Sequence, residues 1–187
     1  MRKEGIILQL KDLMHVALFA AVVGILAFFP PILLPIIPVP ITAQTFGVML
    51  AGSLLGARKG FLSLTVFIIL VAAGAPLIAG GRGGLGVLIG PGGGYIFSWP
   101  LAALLIGYVT EKCGEHITFP KALFANLFGG IIVIYLIGVT YLSLLSETPW
   151  LTAFFSSFIF LPGDMTKAII ASLLAVRIRR AYPALAK

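Results

Sequence analysis

The stretch LPGDMTK, residues 161–167, places a carboxylate and an ammonium group beside a long apolar segment. The surrounding run from Leu151 to Val176 is otherwise apolar or hydroxylic, and an ionised side chain at membrane depth costs roughly 2.5 to 3.5 kcal/mol on insertion scales. The proline and glycine break or restart a helix, Asp164 suits an N-cap, and Lys167 follows three residues later on the same helical face. The stretch therefore predicts two opposite charges that point together into one cavity.

The composition of the chain is that of an integral membrane protein. Of its 187 residues 60% are hydrophobic and 10% are charged, whereas about 25% of the residues in a soluble domain are charged. Apolar runs of about 20 residues recur along the chain, while an outer-membrane barrel would show short alternating segments. We therefore expect an all-α integral membrane protein, a compact bundle of about six transmembrane helices that forms a single substrate-binding domain over residues 1–187.

The basic residues predict the topology of this bundle. We place the membrane spans at roughly 13 to 29, 43 to 57, 60 to 78, 88 to 110, 121 to 145 and 155 to 178. With both termini in the cytosol, nearly all Lys and Arg residues fall on the cytosolic side, as the positive-inside rule requires. Topology thus explains the net charge of +7 without nucleic acid as a partner. The residues that obey the rule are Arg2, Lys3, Lys11, Arg58, Lys59, Lys112, Lys121, Arg177, Arg179, Arg180 and Lys187.

Arg82 and Lys167 do not fit this topology rule, and both belong to the outer half of the protein. They are the candidates for binding an anion. The first outer connection, residues 30–45, is rich in proline, which favours extended backbone, and is too apolar for a solvated loop. It should pack over a site as a lid or cavity wall, with Thr42, Gln44 and Thr45 directed inward. Alternatively, these residues merely cap the second helix, which is more plausible for Thr42 than for Gln44.

The second outer connection, residues 79–95, is dense in glycine. It contains a literal GxGxxG at residues 81–86, but no strand precedes it, so a dinucleotide site is not expected. Glycines at this depth let the backbone approach a ligand closely. Tyr95 is a further candidate ligand contact, or else an interfacial aromatic residue. Asn126, a lone polar residue in the fifth span, is equally compatible with a ligand contact and a hydrogen bond between helices.

Small residues on the first helix predict a docking face. Ala17 and Ala21, with Ala20 and Gly24 on a neighbouring stripe, have the small-xxx-small spacing that lets another helix approach closely. That helix could belong to the bundle or to a partner subunit.

Several functional classes lack their motifs in this sequence. There is no GxxxxGK[ST] phosphate loop, no HExxH, no GxSxG and no pair of intramembrane carboxylates, so neither ATP hydrolysis by this chain nor an intramembrane enzyme is supported. His15, His116 and Cys113 have no metal-ligand spacing, and no metal or cofactor is expected. The polar candidates cluster in the outer half, which disfavours a channel. A binding cavity for a small anionic, partly apolar solute accounts for them best.

Three motifs together resemble BioY, the biotin-binding S-component family of energy-coupling factor (ECF) vitamin transporters. They are PVPITAQ at residues 38–44, GGLG leading to GPGGGY at residues 83–95, and LPGD with Lys167. Their order and spacing cover most of the chain. The family usually has Thr or Ser where this chain has Gly92.

The resemblance implies a six-helix, multi-pass protein of the cell membrane that captures biotin from outside with high affinity. Transport would need a membrane-embedded coupling subunit and two ATPase subunits, and Ala17 and Ala21 match the positions that dock the coupling subunit. The chemistry of biotin fits the site, with Asp164 accepting from the ureido N–H groups and Gln44, Tyr95 or Asn126 completing the polar set. Either Lys167 or Arg82 would pair with the carboxylate.

Three other interpretations stay open at this point. The first is an S-component for another small vitamin, which the proline-rich and PGD motifs argue against. The second is a gradient-driven carrier for a small organic anion that needs no ATPase. The third, a membrane-embedded enzyme or assembly factor, has no motif in its favour.

Overall fold

A computed structural model describes residues 10–35, 37–114 and 117–182 of the chain. The predicted cytosolic position of the termini, including Arg2, Lys3 and Lys187, and the interpretation of His116 lie outside these described residues. The described chain is mostly helical, with one small hairpin. Its elements are α1 (Leu10–Ile25) with a 3-10 turn (Leu26–Phe28), β1 (Ile32–Leu34), β2 (Ile37–Ile41), α2 (Gln44–Ala72), α3 (Leu85–Leu88), α4 (Gly93–Lys112), α5 (Phe119–Leu127), a π-helical segment (Phe128–Val133), α6 (Ile134–Ser146), α7 (Trp150–Ser156), a 3-10 turn (Ser157–Phe160) and α8 (Leu161–Ala181).

Five helical segments of the described chain are long and apolar enough to cross a membrane: Leu10–Phe28, Gln44–Ala72, Gly93–Lys112, Phe119–Ser146 and Trp150–Ala181. Each overlaps most of one predicted span, except α2, which overlaps nearly all of 43 to 57 and most of 60 to 78. Lipid suits the exteriors of these helices, because many of their large apolar side chains are exposed.

Helix α2 reverses direction at Gly56. This residue has φ +83° and ψ −175°, which is not helical. A Cβ added at Gly60 would lie 3.3 Å from the Cα of Gly52, whereas eight residues of a straight helix would separate the two by about 12 Å. The Glu111 side chain accepts a hydrogen bond from the backbone N–H of Ala57 at 2.9 Å and so caps the returning half. The two halves of α2 therefore lie side by side.

The core of the bundle lies between α2 and α4, which pack along their lengths. Phe67 of the returning half of α2 meets Trp99 of α4 with ring centroids 5.7 Å apart. Gly52 and Gly107 lie where the two helices approach most closely, and a Cβ at either would contact backbone atoms of the neighbouring helix. Helix α1 covers one side of α2, and α8 packs against both α2 and α5. This packing leaves the beginnings of α4, α6 and α8 around one space.

The proline-rich connection forms an antiparallel hairpin rather than an isolated extended segment. Its two strands pair with Ile32 opposite Ile41 and Leu34 opposite Ile37. Ile37 and Val39 are buried and alternate with the more exposed Pro38, as expected for a strand with one face on the core. Extended backbone was predicted for this stretch. The structure shows in addition that the two strands pair, which satisfies part of their backbone hydrogen bonding.

Helix α8 begins at Leu161, next to the proline and glycine at which a helix break or restart was predicted. Pro162 occupies the first turn, where its missing N–H costs no hydrogen bond. The expectation that Asp164 is the N-cap was wrong, because the 3-10 turn Ser157–Phe160 runs directly into α8 and places Asp164 inside the first turn. A carboxylate there is still favoured by the partial positive charge of the helix N-terminus.

Candidate functional site

A cavity of about 220 Å³ lies beneath the hairpin. The hairpin and the start of α2 form one wall, the glycine-rich connection another, and α4, α6 and the start of α8 the rest. Its shape follows from the fold, because the first turns of α2, α4, α6 and α8 meet there beneath the two connections. A cavity with mostly apolar walls and a few polar groups is the usual form of a small-molecule site.

The Asp164 carboxylate lies at the centre of a polar cluster in this cavity. Its Oδ1 accepts hydrogen bonds from Thr45 Oγ1 at 3.0 Å and from Lys167 Nζ at 2.9 Å. Its Oδ2 accepts from the Tyr135 hydroxyl at 2.8 Å. The side chain is only 6% exposed, and its salt bridge to Lys167 joins residues three apart on α8, as the sequence predicted. Three donors thus compensate the buried charge of the carboxylate.

The Lys167 ammonium uses all three of its protons within the protein. Besides Asp164, it donates to Thr45 Oγ1 at 3.0 Å and to the backbone carbonyl of Thr42. The latter two residues lie at the end of the hairpin and the start of α2. An ammonium group has three donors and no acceptor, so Lys167 ties the hairpin and α2 to α8 and leaves no donor free for a ligand.

Aromatic side chains form the apolar walls. Phe160 stands edge-on to Tyr95 and to Tyr135, with ring centroids 6.1 and 6.3 Å apart. The Tyr95 hydroxyl bonds with Ser157 Oγ at 3.0 Å, which fixes the ring against the turn before α8. Trp99 lies one helical turn beyond Tyr95 on the same face of α4 and also lines the cavity. These rings offer flat apolar surface to a ligand and can move little.

Gln44 lines the cavity, but its amide is bonded to the protein. Its Nε2 donates to the carbonyls of Val23 and Leu77 at 3.2 and 2.9 Å, and its Oε1 accepts from the N–H of Ala79 at 3.0 Å. The side chain is completely buried. Gln44 therefore joins α1, α2 and the glycine-rich connection, and it shapes the wall on which Arg82 lies.

Arg82 lies at the exposed edge of the cavity. Its Nε donates to the carbonyl of Ala79 at 3.2 Å. Within the described chain its two Nη groups have no hydrogen-bond partner and no salt bridge, so the guanidinium keeps the donors that bind carboxylates in a bidentate manner. It differs in this respect from Lys167.

The structure brings six of the seven predicted ligand-site residues to the cavity: Thr42, Gln44, Arg82, Tyr95, Asp164 and Lys167. It does not bring Asn126 there. The Asn126 amide is completely buried between helices, accepting from Ser53 Oγ at 2.9 Å and donating to Ser172 Oγ at 2.9 Å. Of the two interpretations that the sequence allowed for Asn126, the structure favours the bond between helices.

Sequence reasoning missed Tyr135, Trp99 and Phe160 as cavity residues. Tyr135 is the most important of them, because it bonds directly to Asp164. Its one sequence signal is a hydroxyl within an apolar run. Trp99 and Phe160 give no such signal, since aromatic residues in membrane helices also face lipid or the core.

Ala17 and Ala21 are not among the residues that line the cavity. Both are exposed on the outward face of α1, whereas Ala20 and Gly24 are buried against the bundle. The neighbouring stripe is thus used by the fold, and Ala17 and Ala21 are left on the surface. Among the described residues no group of three or more His, Cys, Asp and Glu side chains could hold a metal ion.

A partly open cavity with a charge pair, inside a bundle of helices long and apolar enough to cross a membrane, defines a membrane-embedded protein that binds a small molecule. The model of the BioY family matches residues 1–184, and the chain belongs to that family. The resemblance inferred from the three motifs is therefore confirmed.

Known relatives agree with this assignment over nearly the whole chain. The probable biotin transporter BioY of Bacillus subtilis (strain 168) is 44% identical over 174 residues, 93% of each chain. The biotin transporter BioY of Rhizobium etli is 41% identical over 180 residues, 94% of this chain and 96% of the relative. A crystal structure of the S-component for biotin from an ECF-type ABC transporter superposes with a TM-score of 0.87 at 37% identity and covers 91% of both chains.

Proposed function

We propose that this chain is the biotin-binding membrane subunit, or S-component, of an ECF-type ABC transporter and captures biotin from the extracellular side. The observation that carries this proposal is the cavity around Asp164 in a member of the BioY family. Biotin offers two N–H donors and a carbonyl on its ureido ring, an apolar bicyclic body and a carboxylate. The cavity supplies a carboxylate acceptor, aromatic walls and a guanidinium group at its edge.

The hydrogen bonds already made within the site favour one orientation of biotin in the cavity. Lys167 has no proton free, so pairing it with the biotin carboxylate would require breaking one of its bonds to the protein. Arg82 has both Nη groups available at the cavity edge. Asp164 Oδ2 accepts from Tyr135 alone and can accept once more. We therefore place the ureido N–H against Asp164 inside the cavity and the carboxylate against Arg82 at the edge.

Uptake needs an energy source outside this chain. The sequence contains no phosphate-binding loop, so ATP would be hydrolysed by two partner ATPase subunits and coupled through a further membrane subunit. The exposed Ala17 and Ala21 on α1 are the surface at which we expect the coupling subunit to dock, because small side chains allow close helix contact in lipid.

The chain would cross the cell membrane six times, with both termini in the cytosol. Support comes from Gly56, which lets the two halves of α2 lie side by side as separate crossings. It also comes from the basic residues, since Lys59 pairs with Asp12 at 3.4 Å at the end of the bundle opposite the cavity. The positive-inside rule assigns that end to the cytosol and the cavity to the outside.

Calorimetric titration of the detergent-purified protein tests this proposal. We expect one biotin per chain with a nanomolar dissociation constant, which corresponds to about −12 kcal/mol. Desthiobiotin, which retains the ureido ring and the carboxylate, should compete, and thiamine should not. Failure of folded protein to bind biotin would refute the assignment, and tight binding of thiamine would indicate an S-component for another vitamin.

A further inference from the structure

Helices α2, α5, α6 and α8 meet in two polar layers at different depths. The upper layer belongs to the cavity, where Thr45 of α2 and Tyr135 of α6 bond to Asp164 of α8. The lower layer lies beneath the cavity, where Ser53 of α2, Asn126 of α5 and Ser172 of α8 form a continuous hydrogen-bonded chain. All three members of the lower layer are completely buried. Helices α5 and α6 are joined by the π-helical segment into one continuous helix, here called α5–α6. Both layers are therefore built from the same three helices: α2, α5–α6 and α8.

On α2 and on α8, the residues of the two layers are separated by the same number of positions. Ser53 follows Thr45 by eight residues on α2, and Ser172 follows Asp164 by eight residues on α8. Both stretches are regular α-helix, so each layer lies about 12 Å from the other along the helix axis. The half of α2 that precedes Gly56 thus runs parallel to α8 with a matching register.

On α5–α6, the residues of the two layers are separated by a different number of positions, and a local irregularity of the helix compensates for the difference. Tyr135 follows Asn126 by nine residues, which in a regular α-helix would rotate the two side chains half a turn apart, onto opposite faces. The π-helical segment Phe128–Val133 lies between them. Its i→i+5 hydrogen bonds wind one extra residue into a turn, so nine residues rotate the chain about as far as eight do elsewhere. Both side chains therefore reach the interior.

The chemistry of an amide suits the lower layer. The Asn126 carbonyl accepts from Ser53, while its NH₂ group donates to Ser172, whose own proton goes to the carbonyl of Ala168. A carboxylate would lack the donor, and an apolar residue would lack both groups. The amide thus fixes the stagger of α2 against α8, and this stagger brings Thr45 opposite Asp164.

We propose that Asn126 is a positioning residue for ligand binding, and that the π-helical segment sets the register of Tyr135 against Asp164. Asn126 acts through the alignment of the upper layer and makes no contact with the ligand. This inference rests on the proposed function, because biotin affinity is its readout. Failure of the wild-type protein to bind biotin would refute the proposed function, whereas the comparisons below are made between variants of a protein that binds.

Two single-residue deletions form a matched test of the register. Ile132 in the π-helical segment and Ile170 in α8 are both lipid-facing, with 49% and 44% of their surface exposed. After deletion of Ile132, Tyr135 follows Asn126 by eight residues instead of nine, so a regular helix now satisfies both layers. After deletion of Ile170, Ser172 follows Asp164 by seven residues instead of eight, which rotates one layer by about 100°.

We expect the protein without Ile132 to fold and bind biotin within threefold of wild type. The protein without Ile170 should bind at least tenfold more weakly, as measured by calorimetry. The register proposal is overturned if deletion of Ile132 prevents folding or weakens binding tenfold, or if deletion of Ile170 leaves affinity unchanged.

The role of Asn126 is tested by its coupling to Tyr135. We expect Asn126→Leu to weaken biotin binding at least threefold in the wild-type background, and much less when Tyr135→Phe has already loosened the upper layer. Ser63→Ala is the control, because Ser63 makes another buried bond between helices, to the carbonyl of Val16 at 3.0 Å, and should lower the melting temperature without changing affinity. Additive effects of the two substitutions, or unchanged affinity in Asn126→Leu, would contradict a positioning role.

Discussion

At the scale of single residues, the buried carboxylate of Asp164 should dominate ligand affinity. In Asp164→Asn we expect biotin affinity to fall at least tenfold, because a charge-assisted hydrogen bond contributes roughly 1.5 to 3 kcal/mol and the Lys167 ammonium loses its counter-charge. Calorimetry measures the change. Glu147→Gln removes an exposed carboxylate from the loop before α7 and is the control. An affinity within twofold of wild type in Asp164→Asn would show that the carboxylate does not bind the ureido group.

The proposed orientation of biotin predicts different roles for Arg82 and Lys167. Arg82→Gln should weaken binding of biotin about tenfold and leave binding of biotin methyl ester nearly unchanged, because the ester lacks the charge that pairs with the guanidinium group. Lys167→Gln should weaken both ligands similarly, since Lys167 supports Asp164 and the hairpin rather than the carboxylate. Competition titrations with the two ligands measure this. The reverse pattern would assign the carboxylate to Lys167.

At this scale, the charged residues of the site could be predicted from the sequence better than the hydrogen bonds that connect them. Asp164, Lys167 and Arg82 could be recognised from sequence because charges in an outer membrane segment have a high cost, so they stand out. Tyr135 and Asn126 could not be separated in this way, because a single polar group in a membrane helix suits both a cavity and a contact between helices. Only the rotation of each helix decides, and the π-helical segment changes that rotation without a sequence signal.

At the scale of elements, the turn at Gly56 depends on the absence of a side chain. Gly56→Ala should lower the free energy of unfolding by about 1 to 3 kcal/mol, because the backbone has φ +83° and a Cβ would collide with the Glu111 carboxylate. Gly86→Ala is the control, since a Cβ there meets nothing within 4 Å and the backbone has no positive φ. Thermal unfolding in detergent compares them. Equal stability of the two variants would mean that the turn tolerates a side chain.

Elements with strong composition signals were predicted well, and those set by pairing were not. The long apolar runs gave the helices to within several residues, because lipid requires continuous helical hydrogen bonding over such lengths. The hairpin at Ile32–Ile41 depends on which extended residues meet, and prolines indicate only that the backbone is extended. The predicted start of α8 at Asp164 was too late in the chain, because the preceding 3-10 turn runs directly into a helix that begins at Leu161 and so places Asp164 inside the first turn.

At the scale of the whole molecule, charge divides the bundle into two ends with different tasks. The cavity end carries Asp164, Lys167 and Arg82, of which the first two are bonded to each other. The opposite end carries most of the basic residues, and its contacts, such as Arg179 with the carbonyl of Thr110 at 3.1 Å, join helices to one another. A bundle tied at both ends can bind its ligand as a rigid body, so capture and transport should be separable by mutation.

The exposed face of α1 is where that separation should be seen. Ala17→Leu with Ala21→Leu should leave biotin affinity within twofold of wild type, because both positions are exposed and neither lines the cavity. Uptake of labelled biotin by cells that also contain the coupling and ATPase subunits should fall at least tenfold, since the larger side chains would prevent a helix from approaching. Leu144→Trp enlarges a side chain on α6 that is 78% exposed and should affect neither measurement. Wild-type uptake by the double variant would place the docking surface elsewhere, and lost affinity would show that α1 supports the cavity itself.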